Sequence, residues 1–168
     1  MPIVCTVHAL QPRLIDELQE HPASLADVIA RSDTHRDLDR YWHAIHYLLS
    51  RFDAARPFRT LLDGGESMPQ TGDGPVPSSR LISPMDTQTF WRQISEVDPE
   101  TLEEFFDPEA LDRDSIYPRR WVELSDELDL LGDVLEHYSS LQVIAKDAAL
   151  ERRGLLIHYA RLGDETDE

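Results

Sequence analysis

Apolar positions recur along the chain in two periods, and the switch between them marks its elements. Ile3-Val4-Cys5-Thr6-Val7 is β-branched and apolar, which predicts a strand covered on both faces. Pro12 suits the first turn of a helix carrying Leu14, Ile15 and Leu18, and Pro22 stops it. Ser24 is placed to cap a second helix in which Leu25, Val28 and Ile29 share a face. Thr34 followed by Asp37 resembles a capping box. From there Leu38, Trp42, Ile45, Leu49 and Phe52 recur at helical spacing, widened by Tyr41 and Leu48, and predict a core helix that ends near Phe52.

Residues 53–84 change character. They hold Pro57, Pro69, Pro75, Pro77 and Pro84 with Gly64, Gly65, Gly72 and Gly74, and only Phe58-Arg59-Thr60-Leu61-Leu62 suits a short ordered element. A segment this irregular inside a compact domain is usually functional or mobile. Ser83-Pro84 restarts helix, with Phe90, Trp91, Ile94 and Val97 as its apolar side. Asp98-Pro99-Glu100 and Asp107-Pro108-Glu109 start two more, the first burying Leu102, Phe105 and Phe106, the second Leu111. Ile116-Tyr117-Pro118 then leads to Trp121 as an extended connection. Ser125 with Asp126 and Glu127 is read as the cap of the longest helix, whose face runs Leu128, Leu131, Leu135, Tyr138, Leu141, Ala145 and Ala148. Arg152 and Arg153 suit its negative end and Gly154 its C′ position. Leu155 to Ala160 is a second strand. Two strands at opposite ends of a helical chain must pair, because a lone strand leaves its ladder unmet. The expectation is a helix-rich α+β domain over residues 1–162, with a small sheet holding both ends and a flexible acidic tail at 163–168.

Charge changes the picture. The 168 residues carry 16 Lys+Arg against 33 Asp+Glu, for a formal net charge of -17 and a pI near 4.6. That balance argues against nucleic acid and anionic membranes as partners. No apolar run approaches the roughly 18 residues of a spanning helix, and the N-terminal stretch has no secretion-signal pattern. A single cysteine, Cys5, excludes an internal disulfide and a cysteine-based zinc cluster. A cytoplasmic protein is expected. The acidity is also regional: residues 96–136 hold 15 acidic and 3 basic side chains, net -12. Glu96, Glu100, Glu103, Glu104, Asp112, Asp114, Glu123, Asp126, Asp129 and Asp133 are therefore either an ordinary solvated face or, at a density above what solubility needs, a surface for a basic protein partner.

Candidate chemistry is sparse. Asp39, His43 and His46 fall at spacings of four and three on the predicted helix, which suits a metal site, an acid/base pair or hydrogen-bonded structural histidines. No second ligand cluster accompanies them, so the structural reading is the simpler one. Gly64-Gly65-Glu66 and Gly72-Asp73-Gly74-Pro75 suggest a phosphate cradle but lack the Gly-Lys-Ser/Thr ending, and turn chemistry accounts for them. Arg80 is placed to meet an anion or to tie down the loop. Cys5 in an apolar strand is inert, and no Gly-x-Ser-x-Gly elbow exists. Tyr117 and Trp121 offer aromatic surface or close the core. No metal, cofactor or catalytic set is expected.

The stretch from Leu38-Asp39-Arg40-Tyr41-Trp42 through His46 to Leu49 resembles the Asp-Lys-x-Trp-x-x-x-His-x-x-Leu segment of the YfbM-like bacterial family, a domain of unknown function. Gly64-Gly65, Gly74-Pro75, Arg80 with Leu81-Ile82-Ser83-Pro84, Ile116-Tyr117-Pro118 and Trp121 resemble further motifs in the family's order, over residues 2–162. Arg40 stands where the family often has lysine, which keeps the charge and changes the donor geometry. The resemblance implies a single α+β domain in which Asp39, Trp42 and His46 face the glycine loop and the Tyr117/Trp121 segment. It supplies no reaction, and an association with toxin genes suggests an immunity role. Two functions follow as expectations. The first is a non-enzymatic acidic protein-binding domain, an immunity or inhibitor protein. The second is a small-molecule-binding protein or enzyme whose site is drawn from Asp39, Arg40, Trp42, His46, Gly64, Gly65, Arg80, Tyr117 and Trp121.

Overall fold

The terminal strands find each other. β1 (Ile3–Leu10) and β5 (Gly154–Arg161) pair antiparallel over their whole length, from Ile3 opposite Arg161 to Leu10 opposite Gly154. The computed structural model describes residues 2–52, 60–69 and 76–162. Around the central pair a five-stranded antiparallel sheet is completed by β2 (His35–Asp39), β3 (Glu66–Ser67) and β4 (Arg80–Ile82), in the order β2-β1-β5-β4-β3. The irregular segment thus contributes two short strands. The fold is α+β, as predicted.

One face of the sheet is sealed. Cys5, Val7 and Ala9 of β1 and Leu155, Ile157 and Tyr159 of β5 pack against α3 (Trp42–Ser50), α4 (Pro84–Ile94) and α8 (Leu130–Leu150). The other face is covered over half its length: Leu10, Leu81 and Leu156 meet Leu14, Ile15 and Leu18 of α1 (Pro12–Glu20) and Leu25 and Val28 of α2 (Leu25–Arg31). Double coverage of β1 therefore holds at its C-terminal end only. Three short helices, α5 (Pro99–Glu104), α6 (Pro108–Arg113) and α7 (Trp121–Ser125), lie between α4 and α8 in the chain. Among the described residues no helix is long and apolar enough to cross a membrane.

Helix starts follow the predicted chemistry where proline marks them. Ser83 accepts from the Asp86 amide (3.1 Å) and Asp107 from the Glu109 amide (3.0 Å). Elsewhere the structure corrects the sequence reading. The Thr34/Asp37 capping box does not form. His35 to Asp37 lie exposed in an edge strand that satisfies the outer ladder groups of β1, with Leu38 alone buried. Thr34 bonds Asp33 instead, and the Asp37 carboxylate accepts the Asp39 amide (2.7 Å). Asp39 then adopts a left-handed φ of 48° that turns the chain into α3. The Ser24 hydroxyl donates to the His21 carbonyl and caps nothing.

The connection after Ile116 is a pair of turns through Arg119 and Arg120, both at positive φ, and Trp121 opens a helix. The longest helix begins at Leu130, where Asp129 accepts the Gly132 amide (3.0 Å); Ser125 belongs to α7 and bonds the Trp121 carbonyl. Its buried stripe is accordingly Leu130, Val134, Tyr138, Leu141, Ala145 and Ala148, while Leu128 is exposed and Leu131 and Leu135 are half-buried. Phe105, predicted as buried, is 44% exposed and meets Phe52 edge-on. The left-handed residue that ends α8 is Arg152 (φ 56°), not Gly154. Gly154 instead starts β5 pressed against Ile15 and the Ile82 carbonyl, where a Cβ has no room. The predicted tail at 163–168, residues 53–59 of the Pro/Gly segment and the glycines at 72–74 lie outside the described residues.

Candidate functional site

Trp42 opens α3 and gathers most of the chain's family-like polar residues around it. Its indole N–H donates to the Ile3 carbonyl (3.0 Å). The ring stacks on His43 (5.1 Å between centroids) and Tyr117 (5.6 Å), and Tyr159 meets it edge-on (5.1 Å). His43 Nδ1 accepts the Tyr117 amide (2.9 Å), while the Tyr117 hydroxyl accepts the Ile3 amide (2.6 Å). Both backbone groups of Ile3 are thus held by aromatic side chains from distant segments. Burial, with His46 nearby, holds His43 down at about 4, so the ring is neutral at pH 7 and free to accept.

One turn along α3, His46 Nδ1 accepts the Leu62 amide at the start of the glycine loop (3.4 Å). Burial lowers the His46 imidazole as well, opposed by the nearby Asp63 charge. On the loop's other side the Arg80 guanidinium donates to the Gly64 and Gly65 carbonyls, the latter at 2.7 Å. Gly65 takes φ 66°, and a Cβ there would run into the Leu81 carbonyl. The loop is a turn into β3 whose carbonyls face the cation. A phosphate cradle would present amides instead.

The structure therefore brings together Trp42, His43, His46, Tyr117, Gly64, Gly65 and Arg80. It places Asp39 and Arg40 elsewhere. They close the turn after β2, with the Asp39 carboxylate on the Arg40 amide (2.7 Å). β2 and the glycine-loop strand β3 are opposite edges of the sheet, four steps of about 4.8 Å apart, or about 19 Å. With Asp39 off the helix, the Asp39/His43/His46 constellation loses its carboxylate, and among the described residues no cluster of histidine, cysteine and acid side chains has metal-binding geometry. Trp121 is core: 1% exposed, its indole donating to the Ile116 carbonyl (3.0 Å), with Phe106 edge-on. Sequence reading overlooked Tyr159. Its phenol is buried without a hydrogen-bond partner among the described residues, and burial pushes it well above its ordinary value. The alternation along β5 was the available signal, since it sets Tyr159 on the sealed face beside Leu155 and Ile157.

The predicted acidic surface divides. Asp112 accepts the first amides of α7, from Trp121 (2.8 Å) and Val122 (3.0 Å), and Asp129 caps α8. Asp133 accepts the Tyr41 hydroxyl (3.0 Å), and burial, assisted by that bond, raises the phenol to about 12. Asp114 takes the Tyr47 hydroxyl (2.6 Å), and Glu123 is clasped by Arg120. Glu96, Glu100, Glu103, Glu104 and Asp126 lie exposed on the outer sides of these elements, as do Asp98, Glu109, Glu127 and Glu136. Exposed Phe105, Val122 and Leu128 stand within the same stretch.

Against known proteins, residues 1–158 match a family model described as a domain of unknown function (DUF1877). The fold is similar to the crystal structure of YfbM from Escherichia coli, itself a protein of unknown function. The TM-score is 0.72 at 16% identity, over 94% of this chain and 99% of that one. Likeness at that identity speaks to the fold alone. No curated protein matches the sequence. The family model spans the strand, the Trp42 helix, the glycine loop and the Tyr117 turn in one unbroken match, and on that basis this chain belongs to the DUF1877 family.

Proposed function

We propose that the protein is a non-enzymatic binding module that engages a basic protein through the outer sides of α5, α6 and α7 and the start of α8. The observation that carries this reading is the charge of that stretch: net -12 over residues 96–136, with most of its acids exposed. Like charges at this density repel one another, so the fold alone does not ask for them. Such a field speeds the approach of a cationic partner and rejects anionic ones. Phe105 (44% exposed), Val122 (43%) and Leu128 (51%) supply apolar anchors within it. A basic toxin held by an immunity or inhibitor protein is one partner of this chemistry. The residues around Trp42 support the non-enzymatic half of the reading, because the Trp42 indole, the Tyr117 hydroxyl and Nδ1 of both His43 and His46 are engaged by backbone amides and carbonyls.

The test is a charge reversal that spares the capping acids: Glu103→Lys, Glu104→Lys, Asp126→Lys and Glu127→Lys. These exposed positions fall in or just after the last turns of α5 and α7, where lysine suits the helix dipole. The native protein should retain a basic protein at low salt and release it as salt rises, and the reversed protein should not retain it. Equal retention by both proteins, or retention indifferent to salt, would overturn the reading.

A further inference from the structure

The half-covered face of the sheet leaves a groove of about 590 Å³. Its floor is Val4, Thr6 and His8 of β1 with His158 and Ala160 of β5, and Ile29, Ala30 and Ser32 at the end of α2 form a wall. Register explains the floor. Thr6 lies opposite His158 on one side and Asp37 on the other, and His8 lies opposite His35, so one alternate set from three strands shares this face. The volume falls within the roughly 300–1,000 Å³ of ordinary ligand sites.

The lining has a consistent chemistry. His8 is 5% exposed, stacks on His35 (5.4 Å) and bonds the Ser32 hydroxyl through Nδ1 (3.2 Å) and the Thr6 hydroxyl through Nε2 (3.1 Å). His158 bonds the Ser79 hydroxyl through Nδ1 (2.9 Å), which leaves Nε2 as the ring nitrogen for a ligand. Burial, assisted by His35 and His158, holds His8 at about 4, and burial lowers His158 too, so both rings are neutral at pH 7. With both His8 nitrogens engaged, the polar groups left for a ligand are the His158 Nε2 and the remaining hydrogen-bonding capacity of the Thr6 hydroxyl. The charged lining residues are Asp37, which is exposed, and Arg161, which is half-buried at the end of β5. A buried ionic group would lose its hydration with no counter-charge on the floor. A polyol, polar on every side, would set hydroxyls against Val4, Ile29 and Ala160. A flat molecule with apolar faces and a donor–acceptor edge satisfies both the small apolar residues and the polar ones.

We infer that this groove binds a neutral planar heteroaromatic compound of the nucleobase class, its faces against Val4, Ile29 and Ala160 and its polar edge on His158 and Thr6. The experiment is a titration of untagged protein with adenine and with cytosine, following the histidine ring signals by NMR, with ribose and benzoate as polyol and charged planar controls. The result expected is saturable movement of the His8, His35 and His158 signals with at least one base, while His43 and His46 stay still. Ribose and benzoate should move none at the same concentration. Thr6→Val should weaken binding three- to tenfold, and Ala160→Leu, which fills the floor, should abolish it. Ala30→Leu blocks the same space from an exposed helical position, so it serves if the strand variant does not fold. No saturable movement with either base, movement that survives both filling variants, or benzoate binding as tightly as the bases would overturn the inference.

Discussion

The Trp42 cluster and the acidic helices are the two regions where the sequence places candidate functional residues, and they use their polar groups in opposite ways. Around Trp42 the indole N–H, the Tyr117 hydroxyl and Nδ1 of His43 and His46 each meet backbone from a distant segment: Ile3 from β1, Leu62 from the loop, Tyr117 from the turn before α7. Along α5–α7 a minority of acids does such work, as Asp112 and Asp129 do at helix starts, and the rest face outward. The difference teaches that a cluster of histidine, arginine and aromatic residues is not by itself a reactive site. What each group bonds decides its role, and a bond to a backbone amide that no other partner meets is a folding bond.

The comparison breaks most visibly at its centre. Trp42→Ala removes a buried ring, its bond to Ile3 and three aromatic contacts, and should cost about 3–5 kcal/mol in urea unfolding. A loss below about 1 kcal/mol would mean that the cluster does not hold the fold together.

Acid sharpens the same point. Folding pushes His8 and His43 from 6.5 down to about 4, so the unfolded chain takes up protons more readily than the folded one. The stability these rings contribute is complete above about pH 6.5 and is lost as pH falls toward 4. Between pH 7.5 and 5, where most carboxylates stay charged, each ring should account for about 1 kcal/mol of loss once the water reaching it is allowed for. His43→Asn should flatten that slope while lowering stability at pH 7. An unchanged slope would contradict neutral, buried imidazoles.

The smallest effect is expected at a buried hydroxyl of the cluster that has no bond among the described residues. Tyr159→Phe removes a buried phenol with no partner among the described residues, so stability should hold within about 0.5 kcal/mol or rise. A loss above 1 kcal/mol would show that the hydroxyl is satisfied after all.

Much of the fold was legible from local chemistry. Proline at a helix start, with an acid or serine before it, marked α4, α5 and α6, and the β-branched ends pointed to a shared sheet. The chief misreading came from an accident of spacing. Leu38 and Trp42 are four apart, as on a helix, yet a strand end and a turn lie between them. What decided the matter was the unpaired edge of β1, a tertiary fact. That error also hid the groove: with β2 read as helix, His35 has no strand position opposite His8. The alternation of Val4, Thr6 and His8 was visible throughout, but how far α1 and α2 reach across the sheet is not written in any local pattern. The candidate site was legible as a set of residues and illegible as a geometry, since Asp39 and the glycine loop sit on opposite sheet edges.

The most direct test of the central claim is to compare the native protein with the Glu103→Lys, Glu104→Lys, Asp126→Lys, Glu127→Lys variant for both stability and retention of basic proteins from host extract. Relief of repulsion should leave the variant as stable as the native protein or slightly more so, while a basic protein held by the native surface at low salt is lost. A variant that unfolds, or one that keeps every protein the native form keeps, would contradict a surface whose acids serve binding.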